Sequence, residues 1–186
     1  MYGHEIVDIL QSDSVTTDIF KGVYSSDNLP ILNKRQKYPA AFIVNTHENN
    51  KPGEHWVAFF FKSYKGIPEY FDSYGFPPYK KGFIRFLLNQ QRRDLKYYYN
   101  NKIVQSLFSD LCGQHTIYYV FQRSNGRTFQ SILQDFTDDT FLNDLFVKRF
   151  VERMYMKKSK LRKRKVMRRK VKSQCSKCMM KVRICD

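Results

Sequence analysis

A chain of 186 residues with 42% hydrophobic content is long enough to bury one sizeable core, and no run in it approaches the roughly 18 apolar residues of a membrane-spanning helix. The N-terminus, MYGHEIVDIL, lacks the basic segment and apolar run of a secretory signal, so an intracellular, reducing setting without a membrane partner is expected. The net charge of +16 is uneven: residues 152–186 carry 15 Lys/Arg against two acids, a net of +13, whereas residues 1–151 carry 18 against 15.

In chain order, HEIVDILQS (4–12) has the apolar spacing of a short helix, and a Ser-, Asp-, Asn- and Pro-containing loop around SSDNLP follows. AAFIVNT (40–46) reads as a buried strand and NNKPG as a turn. WVAFFFK (56–62) and PEYFDS (68–73) read as two strands of an antiparallel hairpin joined by a tight Lys-Gly turn. GFIRFLLNQQRRD (82–94) has an amphipathic helical pattern, and KIVQS (102–106) is β-like. From Cys112 the segment CGQHTIYYVFQR is apolar nearly all round, a pattern that does not separate a buried helix from a strand; its length, about ten residues, favours a buried helix. The spacing of Phe141, Leu142, Leu145, Phe146, Phe150, Val151 and Met154 predicts a last helix, with N-caps on offer between Thr137 and Thr140. These elements divide the chain into a domain over 1–156 and a basic tail over 157–186.

Chemistry concentrates in four residues: His55, Asp72, Gln105 and Cys112. A thiol attacks a carbonyl only as the thiolate, and a Cys opening a helix gains from the helix dipole and its unpaired N–H groups. Asp110-Leu111-Cys112-Gly113 places Cys112 there, with Gly113 leaving room for a substrate carbonyl. His55, at a strand edge after a Gly-containing turn, is the candidate base. His115 shares the rigid helix of Cys112, so it would not flank a substrate from the opposite side. Asp72 is placed to orient the imidazole. The Gln105 amide, with the Cys112 backbone N–H, makes a two-donor oxyanion hole. Singly, three have a plainer reading, a core cysteine, a turn histidine and a strand-end aspartate, and a glutamine by itself is a very weak signal.

Together the four resemble a known family. The order His, acid, Gln, Cys, the pair His55-Trp56, the acid in YFDSYGF, the Gln-to-Cys spacing of seven and the Cys-Gly dipeptide are similar to the adenovirus proteases. Those enzymes belong to a clan that also holds the ubiquitin-like-protein proteases. GVYSSDNLP and AFIVNT resemble that family's N-terminal segments, and the likeness runs over about residues 1–150. Related proteins are encoded by other DNA viruses and by large self-synthesising DNA transposons.

The resemblance implies an α+β fold: a mixed sheet carrying His55 and Asp72, packed on helices that present Cys112. It implies a cysteine endopeptidase acting on capsid or core precursors in the host nucleus and virion. It further implies cleavage after a small residue, especially Gly, in a channel narrowed by Trp56 and Tyr74. Two features depart from the family. Its acid is often Glu where this chain has Asp72, and its activating peptide pairs with a body cysteine that this chain lacks. A ubiquitin-like-tag protease of the same clan and a non-catalytic basic DNA-packaging protein are the rival readings, the second of which leaves the four residues unexplained.

The tail predicts DNA binding through Lys160, Arg162, Lys163, Arg164, Lys165, Arg168, Arg169 and Lys170, by counterion release. Activation by DNA or by a basic peptide is the only cofactor requirement expected, and a monomer is expected. Three of the four cysteines, Cys175, Cys178 and Cys185, crowd the tail, so no disulfide framework spans the body. They supply three ligands of a zinc site with no tail His for the fourth, and no metal is expected.

Overall fold

The computed structural model describes residues 1–88 and 96–156. The basic tail, with the eight Lys and Arg residues assigned to DNA, lies outside the described residues, as does the stretch 89–94 of the helix expected over 82–94. The described elements are α1 (Gly3–Ser12), β1 (Phe20–Ser25), β2 (Ala40–Asn45), β3 (Trp56–Phe61), β4 (Glu69–Phe71), α2 (Lys81–Leu88), β5 (Tyr98–Tyr99), α3 (Cys112–Ser124), α4 (Phe129–Leu133) and α5 (140–156).

The five strands form one mixed sheet in the order β1-β2-β3-β4-β5. The two outer pairs are parallel and the two inner pairs antiparallel. The central strands, β2 and β3, are buried on both faces, which is why AAFIVN and WVAFFF read as nearly continuous apolar runs. Alternation still sorts their side chains. Ala41, Ile43, Ala58 and Phe60 join Ile6, Ile9 and Leu10 of α1 and Ile117 and Val120 of α3 in one core. Ala40, Phe42, Val44, Val57, Phe59 and Phe61 point the other way, onto Phe83, Phe86 and Leu87 of α2. The sheet is thus the middle of three layers, and α3 crosses the face opposite α2.

The α+β class, the mixed sheet and the buried helix starting at Cys112 agree with expectation. Several local readings differ. The β3–β4 hairpin closes through residues 62–68, a seven-residue connection rather than a tight turn. Residues 102–106 form no strand, because Val104 N–H and Gln105 N–H both turn back to the Ser73 carbonyl, at 2.9 and 3.1 Å. β1 is not among the expected elements and lies just before the expected loop around SSDNLP, its partner being the distant β2. Asp139 caps α5 by accepting from the N–H groups of Phe141 and Leu142 at 3.0 and 3.1 Å. Among the described residues no helix is long and apolar enough to cross a membrane.

Candidate active site

His55 immediately precedes β3 and Asp72 immediately follows β4. The antiparallel register pairs Ala58 with Phe71; continued outward by three residues it sets His55 opposite Tyr74. Both functional side chains therefore emerge at one end of the sheet. The imidazole Nε2 lies 2.8 Å from Asp72 Oδ1, leaving Nδ1 for the thiol. The Tyr74 ring stacks on the imidazole at 4.7 Å with an interplanar angle of 25°.

Asp72 is held in turn. Its Oδ1 accepts from the Tyr74 N–H at 2.8 Å. Its backbone is bracketed by Asn100, which accepts from the Asp72 N–H at 3.0 Å and donates through Nδ2 to its carbonyl at 2.6 Å. Asn100 follows β5, whose parallel pairing with β4 brings it alongside. The turn that leaves Asp72 closes on Gly75, whose N–H donates to the Asp72 carbonyl at 2.9 Å. Gly75 has φ +74°, and a Cβ there would lie 3.0 Å from the Lys102 backbone, so this turn requires glycine.

Cys112 opens α3, and no side chain caps that helix end. Its thiol stands beside His55 in the same cleft, close enough to act on the imidazole. Burial disfavours a charged His55, but the hydrogen bonds to Asp72 and Cys112 and the charges of both outweigh burial and raise its pKa to about 9. At neutral pH the ring is an imidazolium, the state that supports a nucleophilic sulfur beside it. His55, Trp56, Tyr74, Ser109 and Cys112 are among the residues that line a cleft of about 700 Å³. Its polar rim includes Asn45, His47, Glu48, Lys51, Glu54 and Asp110.

A pH dependence follows from the raised His55 pKa. The folded value lies above the unfolded value of 6.5, so the stabilisation is complete below about pH 6.5 and is lost as pH rises through about 9. Its size is on the order of 3 kcal/mol. The difference in unfolding free energy between the protein and its His55→Gln variant is expected to shrink across that window, measured by urea denaturation at several pH values. A constant difference from pH 6 to 10 would contradict the ion pairing of His55.

The remaining site residues sit as follows. Gln105 is fully buried on the loop before α3, and its side chain faces into that loop rather than lining the cleft. Its Nε2 donates to the Ser109 carbonyl at 2.8 Å and lies 3.2 and 3.3 Å from Ser109 Oγ and Tyr74 Oη. Its Oε1 accepts from Ser73 Oγ at 2.5 Å. The Gln105 amide is thus engaged by the loop that leads to Cys112, because buried amide N–H groups must find acceptors.

Gly113 differs from expectation. A Cβ there would meet Met1 Cβ and Sδ at 3.2 Å and Trp56 Cδ1 at 3.4 Å, so the space over it is filled by protein rather than left for substrate. Trp56 does line the cleft, and its Nε1 donates to the Met1 carbonyl at 3.1 Å. His115 lies on α3, fully buried and paired with Asp144 instead of with the cleft. Sequence reasoning missed Asn100, Ser73, Ser109 and Asp144. Only Asp144 carried a signal, as an acid on the otherwise apolar face of a predicted helix.

No protein-family model matches the chain, and comparison with curated proteins gives no match. Among solved structures, the crystal structure of the ASFV pS273R protease superposes with a TM-score of 0.52 at 17% identity, covering 78% of this chain. The selenomethionine form of that protease aligns over 60% of this chain and 45% of its own, at 21% identity and a TM-score of 0.41. The chain spans 65% of the length of the first of these. At this identity the likeness is one of fold: the α+β scaffold here is shared with a viral protease.

Proposed function

We propose that the protein is a cysteine endopeptidase of the adenovirus-protease clan, with Cys112 as nucleophile, His55 as proton carrier and Asp72 as orienting acid. The observation that carries this reading is the convergence of three chain segments on one cleft, with His55 between a buried carboxylate and the thiol. The shared fold with a viral protease supports it.

In this reading Cys112 Sγ attacks the scissile carbonyl, forming the S–C bond as the C=O π bond opens to an oxyanion. The imidazolium gives its proton to the leaving amine as the C–N bond breaks, and water then hydrolyses the thioester with His55 as base. The oxyanion takes its donors from the Cys112 N–H, at the uncapped start of α3, and from Gln105. Gln105 Nε2 is held by Ser109 O, Ser109 Oγ and Tyr74 Oη, so it reaches the oxyanion only by exchanging one of these acceptors for the substrate when it binds. Cys112 is only 8% exposed, with Trp56 and Tyr74 beside it in the cleft. That crowding favours a small residue such as Gly before the cut. Substrates of the virion-precursor type, cleaved in the host nucleus and virion, follow from the family resemblance.

The test is incubation of the purified protein with a peptide library, and separately with ubiquitin-like fusions, with cut sites mapped by mass spectrometry. Cleavage after Gly in extended peptides supports the reading. Cleavage confined to ubiquitin-like tags moves it to the tag-removing branch, and no cleavage with or without DNA refutes it.

The tail enters as a DNA tether. Removing residues 157–186 deletes 14 Lys/Arg and one Asp. It is expected to cut DNA affinity and flatten its salt dependence, while short-peptide cleavage stays within a few-fold. Unchanged affinity in a filter-binding titration from about 50 to 200 mM salt would remove the tether.

A further inference from the structure

Asp144 joins the two segments that carry the nucleophile and the amide donor. It lies on α5, 4% exposed. Its Oδ1 lies 2.8 Å from His115 Nε2, one turn after Cys112 on α3. Its Oδ2 accepts from the backbone N–H of Ser106, the residue after Gln105, at 3.3 Å.

Nothing in the proposed hydrolysis uses this second His–Asp pair, and the pair is costly. His115 is fully buried, its Nδ1 has no hydrogen-bond partner among the described residues, and its ring tilts on Phe136 at 5.6 Å. Burial pushes its pKa down despite the hydrogen bond and charge of Asp144. The ring is therefore neutral and gives the carboxylate a hydrogen bond without a full counter-charge. An apolar pair of similar volume would pack as well without burying a carboxylate. A second tie on the same loop points the same way: Lys102 Nζ donates to the Phe136 carbonyl at 2.7 Å, drawing the start of the loop onto the connection that leads into α5.

We propose that Asp144 is a positioning residue for peptide hydrolysis: its carboxylate fixes the Gln105 loop at Ser106 against the Cys112 helix at His115, setting the distance between the amide donor and the sulfur. The proposal rests on the peptidase reading above. An oxyanion donor works only within a few tenths of an ångström of its place, so an anchor one residue away acts on the rate and not on substrate affinity.

The experiment compares Asp144→Asn and His115→Gln with the unsubstituted full-length protein. Three quantities are read: kcat and KM on a peptide the protein cleaves, and the rate at which iodoacetamide alkylates Cys112. Alkylation displaces iodide at a saturated carbon and forms no oxyanion, so it reports on the sulfur and His55 alone.

Each variant is expected to lose about 10- to 100-fold in kcat, with KM and alkylation within about two-fold. In a Gln105→Ala background, Asp144→Asn is expected to cost little more, because the donor it positions is already gone. Equal losses in hydrolysis and alkylation would make the pair merely structural and overturn the proposal, as would unchanged kcat or full additivity with Gln105→Ala. If one variant does not fold, the other decides; if neither folds, the pair is a core element and the proposal fails. Absence of hydrolysis by the unsubstituted protein strikes the peptidase reading and this one with it. Hydrolysis that both variants match strikes this one alone.

Discussion

Replacing Cys112 by alanine is expected to abolish peptide hydrolysis, with a loss on the order of 10⁵- to 10⁶-fold in kcat. Removing the proposed nucleophile leaves no other thiol in the body to replace it, since Cys112 is the only cysteine in residues 1–151. The fold is expected to survive. The side chain is small, it sits at a helix start rather than in the centre of a core, and the alanine that replaces it favours the helix. A change in unfolding free energy within about 1 kcal/mol is expected. Iodoacetamide is expected to inactivate the unsubstituted protein and to leave the variant without a modified residue at position 112. Hydrolysis by Cys112→Ala above about one part in 10³ of the unsubstituted rate would remove the nucleophile assignment, because oxyanion donors and binding alone supply only about 10³- to 10⁴-fold over water, far below that level.

The largest stability effect is expected at Arg123. This residue lies near the end of α3, 8% exposed, and grips Glu69 of β4 with two bonds, Nε to Oε2 at 2.7 Å and Nη2 to Oε1 at 2.8 Å. Its guanidinium lies 4.2 Å over the Phe60 ring. Glu69 also accepts from Tyr119 Oη at 2.6 Å. Burial raises the Glu69 pKa in spite of the Tyr119 bond and the Arg123 charge, which shows how much desolvation this carboxylate bears. Arg123→Ala leaves that carboxylate buried without its cation, and a loss of about 3–5 kcal/mol is expected. Against a total stability of roughly 5–15 kcal/mol, that is a large share. The double substitution Arg123→Met with Glu69→Met is expected to recover most of it, since an apolar pair needs no counter-charge. Urea midpoints of the three proteins check both expectations. A loss under about 1 kcal/mol for Arg123→Ala would mean that solvent reaches the pair and screens it.

This network was not legible in the chain. Glu69 lies in PEYFDS and Arg123 in YYVFQR, each an ordinary polar punctuation of an apolar run. Their meeting follows from α3 crossing the face of the sheet on which β4 lies, a packing choice that no local pattern encodes. The same limit hid Asn100. Its position after β5 makes it the clamp on Asp72, yet YYYN carries no chemical signal until β5 pairs with β4.

The candidate site was more legible because its chemistry needs particular residue types. A thiol beside Gly at a helix start, a His at a strand edge, an acid before an aromatic–Gly turn and an amide seven residues upstream restrict one another. The structure places His55 and Cys112 in one cleft, with Asp72 buried behind the imidazole. It turns Gln105 into its own loop and fills the space over Gly113 with Met1 and Trp56. A spacing in sequence specifies which backbone segments meet; it does not specify the rotamer of a buried amide or what packs on a glycine.

By itself the sequence determined the elements with a strong apolar pattern: α1, β2, β3, the helix from Cys112 and the helix over 140–156. In α1 and the 140–156 helix the apolar side chains recur at helical spacing; β2, β3 and the helix from Cys112 stand out as continuous apolar runs, whose length separates strand from helix. It also determined the charge split between body and tail, which is composition alone. Only the tertiary structure decided β1 and β5, the irregular path of residues 102–106 and the Asp144 bridge between α5, α3 and the Gln105 loop. These depend on hydrogen-bond partners 18 or more residues away, such as Ser73 for Val104 and Asp144 for Ser106. A donor or acceptor reveals in sequence that it must be satisfied, but not by which distant residue.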